Sequence, residues 1–249
     1  MLLDVWRKII TTGTVTRDIG DIVPPANARG QVVPKAAKDG ACLDCRQCET
    51  ACPGQAIHVD GEGAHVDDKA CLFCGRCVSL CPQGLLEQTG KYDLASLGGV
   101  FAAPSPSDAA RKIRAALGRS LHIRHVDIGS CNACDFEMSH MCNPIYDIQQ
   151  YGLDFVPSPR HADLLMVTGV VTRNSLQALR MTYEAAPTPK LVMAVGACAC
   201  SGKAFGEGYA VCGAVDSVVP VDIYVPGCPP RPQAIVEGVM KALARRIGQ

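Results

Sequence analysis

Most of the 15 cysteines in this 249-residue chain fall at spacings that bind metal. The clearest set is Cys42-x2-Cys45-x2-Cys48-x3-Cys52-Pro53. It recurs as Cys71-x2-Cys74-x2-Cys77-x3-Cys81-Pro82, with the same offset at every cysteine. Three closely spaced thiolates can cap three corners of one [4Fe–4S] cube, and the fourth, three residues on, serves the other cube. The spacing therefore assigns Cys42, Cys45, Cys48 and Cys81 to one cluster, and Cys52, Cys71, Cys74 and Cys77 to a second. A pair of structural zinc sites fits poorly, because zinc prefers two ligand pairs, often with His. Gly75 allows close backbone approach to a sulfur. The matching position in the first repeat is Arg46, which predicts a local difference between the two loops.

A third set is more dispersed. Cys131-x2-Cys134 alone fits a zinc site, a redox dithiol or an iron–sulfur cluster. Its surroundings are more informative. The expected strand 121–128 runs into Gly129-Ser130-Cys131, strand 191–195 into Gly196-Ala197-Cys198, and strand 223–225 into Pro226-Gly227-Cys228-Pro229. In an open parallel sheet the carboxyl ends of all strands share one edge, where ligands bind. Cys131, Cys134, Cys198 and Cys228 can therefore converge on one four-thiolate site. Cys142, Cys200 and Cys212 remain and read as small buried side chains. Cys200 could compete with Cys198, two residues away. Glu137 is either a proton relay beside a partner's active site or a surface carboxylate.

The elements that must hold these residues can be read from periodicity. Leu164–Val167 and Leu191–Val195 are short continuous apolar runs, as expected of strands buried on both faces. Helical patterns at about 143–151, 175–185 and 233–246 alternate with the strands, which argues a mostly parallel α/β sheet with helices on both faces. Between the cysteine repeats, residues 57–59 and 64–66 flank Asp60-Gly61-Glu62-Gly63 and read as a hairpin. At the N-terminus, Leu2, Leu3, Trp6, Ile9 and Ile10 lie at helical spacing opposite Asp4, Arg7 and Lys8. Such a helix either packs on its own domain or docks on a partner subunit or membrane-side surface. The expected organisation is a helix and extended arm (1–40), a two-cluster ferredoxin-like α+β domain (41–92), and a linker (93–119). A flavodoxin-like α/β domain (120–249) follows. Ser107 is expected to cap a short linker helix at 109–117. Its cations Arg111, Lys112 and Arg114 read as a solvated face or a contact for an acidic partner.

Composition narrows the function. The formal net charge is zero, so there is no electrostatic case for nucleic acid. Apolar residues make up 48%, enough for a core, and no apolar run reaches the length of a membrane span. Asp4, Arg7 and Lys8 within the first residues do not read as a secretion signal, so a reducing, cytoplasmic setting is expected. Neither Gly98-Gly99 nor the glycines at 202, 206 and 208 have the strand–turn–helix context of a phosphate loop.

Residues 42–82 resemble the two-cluster bacterial ferredoxins. With the arm Pro24-Pro25-Ala26-Asn27-Ala28-Arg29-Gly30, about residues 1–92 look most like the ferredoxin-type subunit of complex I and of membrane-bound hydrogenases. Several segments of the second half are similar to the small subunit of the energy-converting, membrane-bound [NiFe] hydrogenases, including formate hydrogenlyase. They are Arg124–Cys134, Pro159-Arg160-His161-Ala162-Asp163, Gly196-Ala197-Cys198 and Val225–Pro232. The same domain resembles the B-type subunit of complex I, which has two adjacent cysteines where this chain has Cys131-x2-Cys134; the x2 spacing is the hydrogenase form. Ala133 and Asp135 depart from the usual Gly and Glu of that pattern, leaving the ligands intact. The resemblance implies an electron-relay subunit with three [4Fe–4S] clusters and no substrate chemistry alone. It implies a Ni–Fe large subunit or its complex I-like counterpart, membrane subunits, a low-potential electron donor, and a place on the inner face of the cell membrane.

Overall fold

The computed structural model describes residues 2–35, 45–98, 120–206 and 208–243. Cys42 and the expected helix at 109–117 lie outside them, as does the end of the helix expected to reach residue 246. The chain opens with helix α1 (Leu2–Thr12), which Gly13 closes in a left-handed conformation at φ 63°. The first module follows. Strand β1 (Val32–Pro34) comes from the extended arm, and α2 (Gln47–Thr50) carries Cys48. β2 (Ile57–Asp60) and β3 (Gly63–Val66) form the expected hairpin, with Ile57 opposite Val66. Helix α3 (Arg76–Leu80) carries Cys77, and β4 (Leu86–Gln88) pairs antiparallel with β1. Val32, Ile57, Val59, Phe73 and Leu86 form the small core beneath the cysteine loops.

The second module is one six-stranded sheet. Its strands are β5 (Ser96–Leu97), β6 (Leu121–Asp127), β7 (Leu153–Phe155), β8 (Leu164–Thr168), β10 (Leu191–Val195) and β12 (Ile223–Val225). The order across the sheet is β5-β12-β10-β8-β6-β7. All pairings are parallel except β5 with β12. Counting only the parallel strands from the β7 edge, the order is the flavodoxin-like 2-1-3-4-5, with its switch point between β6 and β8. A separate two-stranded ladder pairs β9 (Val171–Thr172) with β11 (Val211–Gly213).

Alternation along the buried strands separates two cores. Leu164, Met166, Leu191 and Met193 face one side, where Ile235 and Val239 of α7 (Pro232–Ala242) cover them. Leu165, Val167, Val192 and Ala194 face the other, covered by Leu179 of α5 (Arg173–Ala185). Helix α5 starts on a capping box, with Thr172 and Ser175 each bonding the other's backbone. The arm belongs to this module too. Ile19 is 1% exposed in the α7-side core, and its N–H donates to Tyr151 Oη at 2.8 Å.

Two sequence expectations change. The helix expected at 143–151 is replaced by α4 (Ala133–His140), followed by turns and a short 3₁₀ helix at Ile148–Tyr151. The reason is local: Asn143 Oδ1 accepts the N–H groups of Ile145 and Tyr146, and Asp147 is left-handed at φ 37°. In the segment expected to be a linker, Ser96–Leu97 adds an antiparallel edge strand.

Candidate iron–sulfur sites

Three of the C-x2-C turns, Cys45–Cys48, Cys74–Cys77 and Cys131–Cys134, have one backbone form. The residue after the first cysteine is left-handed: Arg46 at φ 41°, Gly75 at φ 74° and Asn132 at φ 66°. A helix begins at the next residue and carries the second cysteine, Cys48, Cys77 or Cys134. The expected difference between the Arg46 and Gly75 loops is therefore absent. Arg46 accepts a conformation that L-residues avoid. Its guanidinium donates to Val59 O at 3.3 Å and pairs with Glu49 at 3.6 Å, which offsets part of that cost.

The repeat extends past its cysteines. Gln55 and Gly84, at equivalent positions, are both left-handed. Each is followed by an N–H that donates back to a sulfur: Ala56 to Cys52 Sγ at 3.3 Å and Leu85 to Cys81 Sγ at 3.3 Å. The Phe73 N–H donates to Cys71 Sγ at 3.4 Å. Such bonds favour the thiolate over the thiol.

The thiols gather across the repeats. Cys52, Cys71, Cys74 and Cys77 line one cavity, floored by Val32, Ile57 and Val66. Cys45, Cys48 and Cys81 line a second, with Arg46, Pro82 and Leu85. So the structure places Cys52 with the second run and Cys81 with the first. Among the described residues, no three metal-ligating groups stand close enough to share one bare ion.

The third set is assembled by the carboxyl ends of the sheet. The Gly196 and Ala197 N–H groups donate to Val225 O and Gly227 O, both at 2.8 Å, which ties the turn after β10 to the turn after β12. The first of these starts the one-turn helix α6 (Ala197–Ser201), which carries Cys198. Gly196 sits at φ 90°, and a Cβ there would lie 2.6 Å from Cys134 Sγ. A side chain is excluded because the sulfur of another turn occupies its place. Asp127 Oδ1 accepts the N–H groups of Gly129 (2.9 Å) and Ser130 (2.8 Å), fixing the turn that presents Cys131.

The chemistry of these donor sets fits iron–sulfur binding. Burial pushes the Cys71 thiol up to about 12 and Cys198 up to about 11. Cys134 rises as well, first through burial and then through the nearby Cys198, Cys228 and Cys131. Cys134, Cys198 and Cys228 resist charging chiefly through burial and then through their neighbours, so their thiolates call for a cationic centre among them. Cys228 is raised by burial and then by two neighbours: Cys131 of its own module and Cys74 of the other. Lys69, two residues ahead of Cys71, lies over the Tyr224 ring of β12 at 3.5 Å, so the second-repeat loop faces the third site.

The structure separates the remaining cysteines from these sets. Cys200 is 3% exposed and packs in the α5-side core, its thiol donating to Ala194 O at 3.4 Å. Cys142 is exposed beyond α4, and Cys212 is half-buried on β11. Glu137 lies half-buried on α4 beside Phe136, which is 68% exposed.

Sequence reasoning missed the polar group behind Cys134. Asp135 Oδ1 pairs with His125 Nε2 at 2.9 Å and accepts the buried Thr168 hydroxyl at 2.9 Å. Asp135 Oδ2 accepts the Ser130 hydroxyl at 2.6 Å. These bonds hold the first turn of α4, and with it Cys134, against β6 and β8. The available signal was Asp135 itself, a carboxylate next to a ligand. It also missed the bridge between modules, in which Lys203 Nζ meets Asp67 at 3.4 Å.

Two family models match the chain. Residues 131–242 match that of the NADH ubiquinone oxidoreductase, 20 Kd subunit, and residues 41–85 that of the 4Fe-4S dicluster domain. The probable membrane-bound hydrogenase subunit mbhJ of Pyrococcus furiosus is 48% identical over 129 residues, covering 52% of this chain and 77% of that protein. Formate hydrogenlyase subunit 7 of Escherichia coli is 44% identical over 125 residues, covering 50% of this chain and 49% of that protein. The B-type subunit of the NADH-quinone oxidoreductase of Heliobacterium modesticaldum is 44% identical over 113 residues, covering 45% of this chain and 65% of that protein.

Proposed function

The chain belongs to the family of the NADH ubiquinone oxidoreductase 20 kDa subunit, with a 4Fe-4S dicluster domain ahead of it, and from that membership we propose an electron-relay subunit of a membrane-associated [NiFe] hydrogenase complex. It holds three [4Fe–4S] clusters. Cys42, Cys45, Cys48 and Cys81 hold the first; Cys52, Cys71, Cys74 and Cys77 the second; Cys131, Cys134, Cys198 and Cys228 the third. When bound, such clusters accept and release single electrons. The chain supplies ligation, spacing and the N–H donors at Ala56, Phe73 and Leu85 that tune sulfur charge.

The observation that carries this reading is the pair of contacts between the modules, Lys69 Nζ over the Tyr224 ring at 3.5 Å and Lys203 Nζ with Asp67 at 3.4 Å, which sets the second-repeat loop against the sheet edge that gathers the third set. A low-potential donor then serves the ferredoxin half. A large subunit with a Ni–Fe centre covers the exposed Cys131 and Cys228. Glu137 is the carboxylate placed at that surface to pass protons. The site of action is the inner face of the cell membrane, where membrane subunits of the complex supply the spans. Among the described residues no helix is long and apolar enough to cross a membrane.

A quinone-reducing module of complex I type is the second reading, supported by 44% identity to the Heliobacterium relative; a carrier in a nickel-free complex is the third. Purification of the native complex tests all three. Nickel together with hydrogen evolution from a low-potential donor is expected. Quinone reduction without nickel supports the second reading, and neither activity the third.

A further inference from the structure

Helix α1 has no buried residue. Leu2, Leu3, Trp6 and Ile10 are each more than half exposed, and so are Val5 and Ile9. At 3.6 residues per turn these six side chains occupy one arc of about 160°. Arg7 and Lys8 border that arc on its two sides, and Asp4 lies opposite its centre. An apolar arc with an aromatic near its middle and a cation on each flank suits the boundary between lipid headgroups and acyl chains. A groove in a protein partner would not require cations on both flanks.

The helix is also tied to the folded body. The Thr16 hydroxyl donates to Pro144 O at 3.0 Å, and the Arg17 N–H to Ile145 O at 2.9 Å. Val15 and Ile145, beside these bonds, are 45% and 43% exposed. A contact made by α1 therefore positions the whole subunit.

We propose that α1 is an in-plane membrane helix, its apolar arc in the outer acyl layer and Arg7 and Lys8 on anionic headgroups. The proposal rests on the membrane-associated reading above and names the element and the lipid chemistry that serve it. The test is flotation of the cluster-loaded, full-length protein with phosphatidylcholine vesicles, with and without phosphatidylglycerol. Trp6, the chain's one tryptophan, reports insertion through quenching by brominated lipid.

Wild-type protein is expected to float with the anionic vesicles, with Trp6 quenched, and to bind them more weakly at high salt. L3E/I10E is expected to stay at the bottom of the gradient. R7Q/K8Q is expected to bind about 30-fold more weakly, at about 1 kcal/mol per cation. These side chains are exposed, so the variants keep the fold, and iron content is read on the same samples. Wild-type protein that does not float, or L3E/I10E that floats equally well, overturns the lipid helix. If that happens with full iron content, the electron-relay reading stands without it. If iron is absent while flotation succeeds, the relay reading fails and the lipid helix stands.

Discussion

Lys69 Nζ lies 3.5 Å above the centroid of the Tyr224 ring. Lys69 sits in the turn that leads to Cys71, and Tyr224 is on β12, whose following turn carries Cys228. One cation–π contact thus joins the loop of the second cysteine run to the strand that presents the third set. Lys69→Met is expected to weaken the docking of the two modules by about 0.5–2 kcal/mol. The readout is a lower urea midpoint for loss of module–module protection in hydrogen exchange, with iron content unchanged. An unchanged midpoint would assign the docking to other contacts.

Gly196→Ala is expected to destroy the third site alone. The new Cβ would lie 2.6 Å from Cys134 Sγ, on a backbone at φ 90°. Iron should fall from about twelve to about eight atoms per chain, three cubes reduced to two. Retention of all the iron would show that Cys134 is not a ligand in this geometry.

Cysteine replacements separate ligands from core. Cys198→Ser and Cys228→Ser should each damage the third cluster and spare the other two. Cys142→Ser and Cys212→Ser should leave all three. Cys200→Ser should also leave all three, with a stability loss of about 1 kcal/mol, because its thiol bonds Ala194 O within the opposite core. Loss of the third cluster in Cys200→Ser but not in Cys198→Ser, followed by EPR, would reverse that assignment.

Asp135→Asn removes a negative charge beside Cys134; its one amide oxygen can still accept from Thr168, while its NH2 donates to the Ser130 hydroxyl oxygen. An adjacent anion disfavours an added electron, so the variant should raise the third cluster's potential. The expected rise is about 20–60 mV, where roughly 59 mV is a tenfold change for one electron. A redox titration followed by EPR measures it; a fall would mean that the network acts through geometry instead of charge.

Ile19→Ala should cost about 2–5 kcal/mol of α/β-module stability, as for other buried aliphatic truncations. Ile19 is about a hundred residues upstream of β6, yet it is 1% exposed in that module's core. Thermal unfolding of the loaded protein checks this, and a loss below the range would place Ile19 at a yielding edge.

Much of this arrangement was legible because local signals and chemistry agreed. The repeated cysteine runs named their partners through spacing. The continuous apolar runs at 164–167 and 191–195 named strands covered on both faces. The rest depended on contacts distant in sequence. Ser96–Leu97 becomes a strand because β12 offers a free edge, which two residues cannot announce. Ile19 enters a core whose other members begin past residue 120. The shared left-handed form of Arg46 and Gly75 was hidden because residue type suggested a difference, whereas the thiols on either side of Arg46 impose the turn. The 143–151 pattern looked helical, but the Asn143 side chain accepts the N–H groups of Ile145 and Tyr146 and stops the helix.

The proposed serial arrangement of three clusters ending at the sheet edge is tested most directly by Cys134→Ser in the assembled complex. With a low-potential donor, EPR should show both ferredoxin-half clusters reduced, while hydrogen evolution falls to background. Hydrogen evolution at the wild-type rate in Cys134→Ser would contradict the relay. So would a wild-type complex that contains no nickel, makes no hydrogen and reduces a quinone.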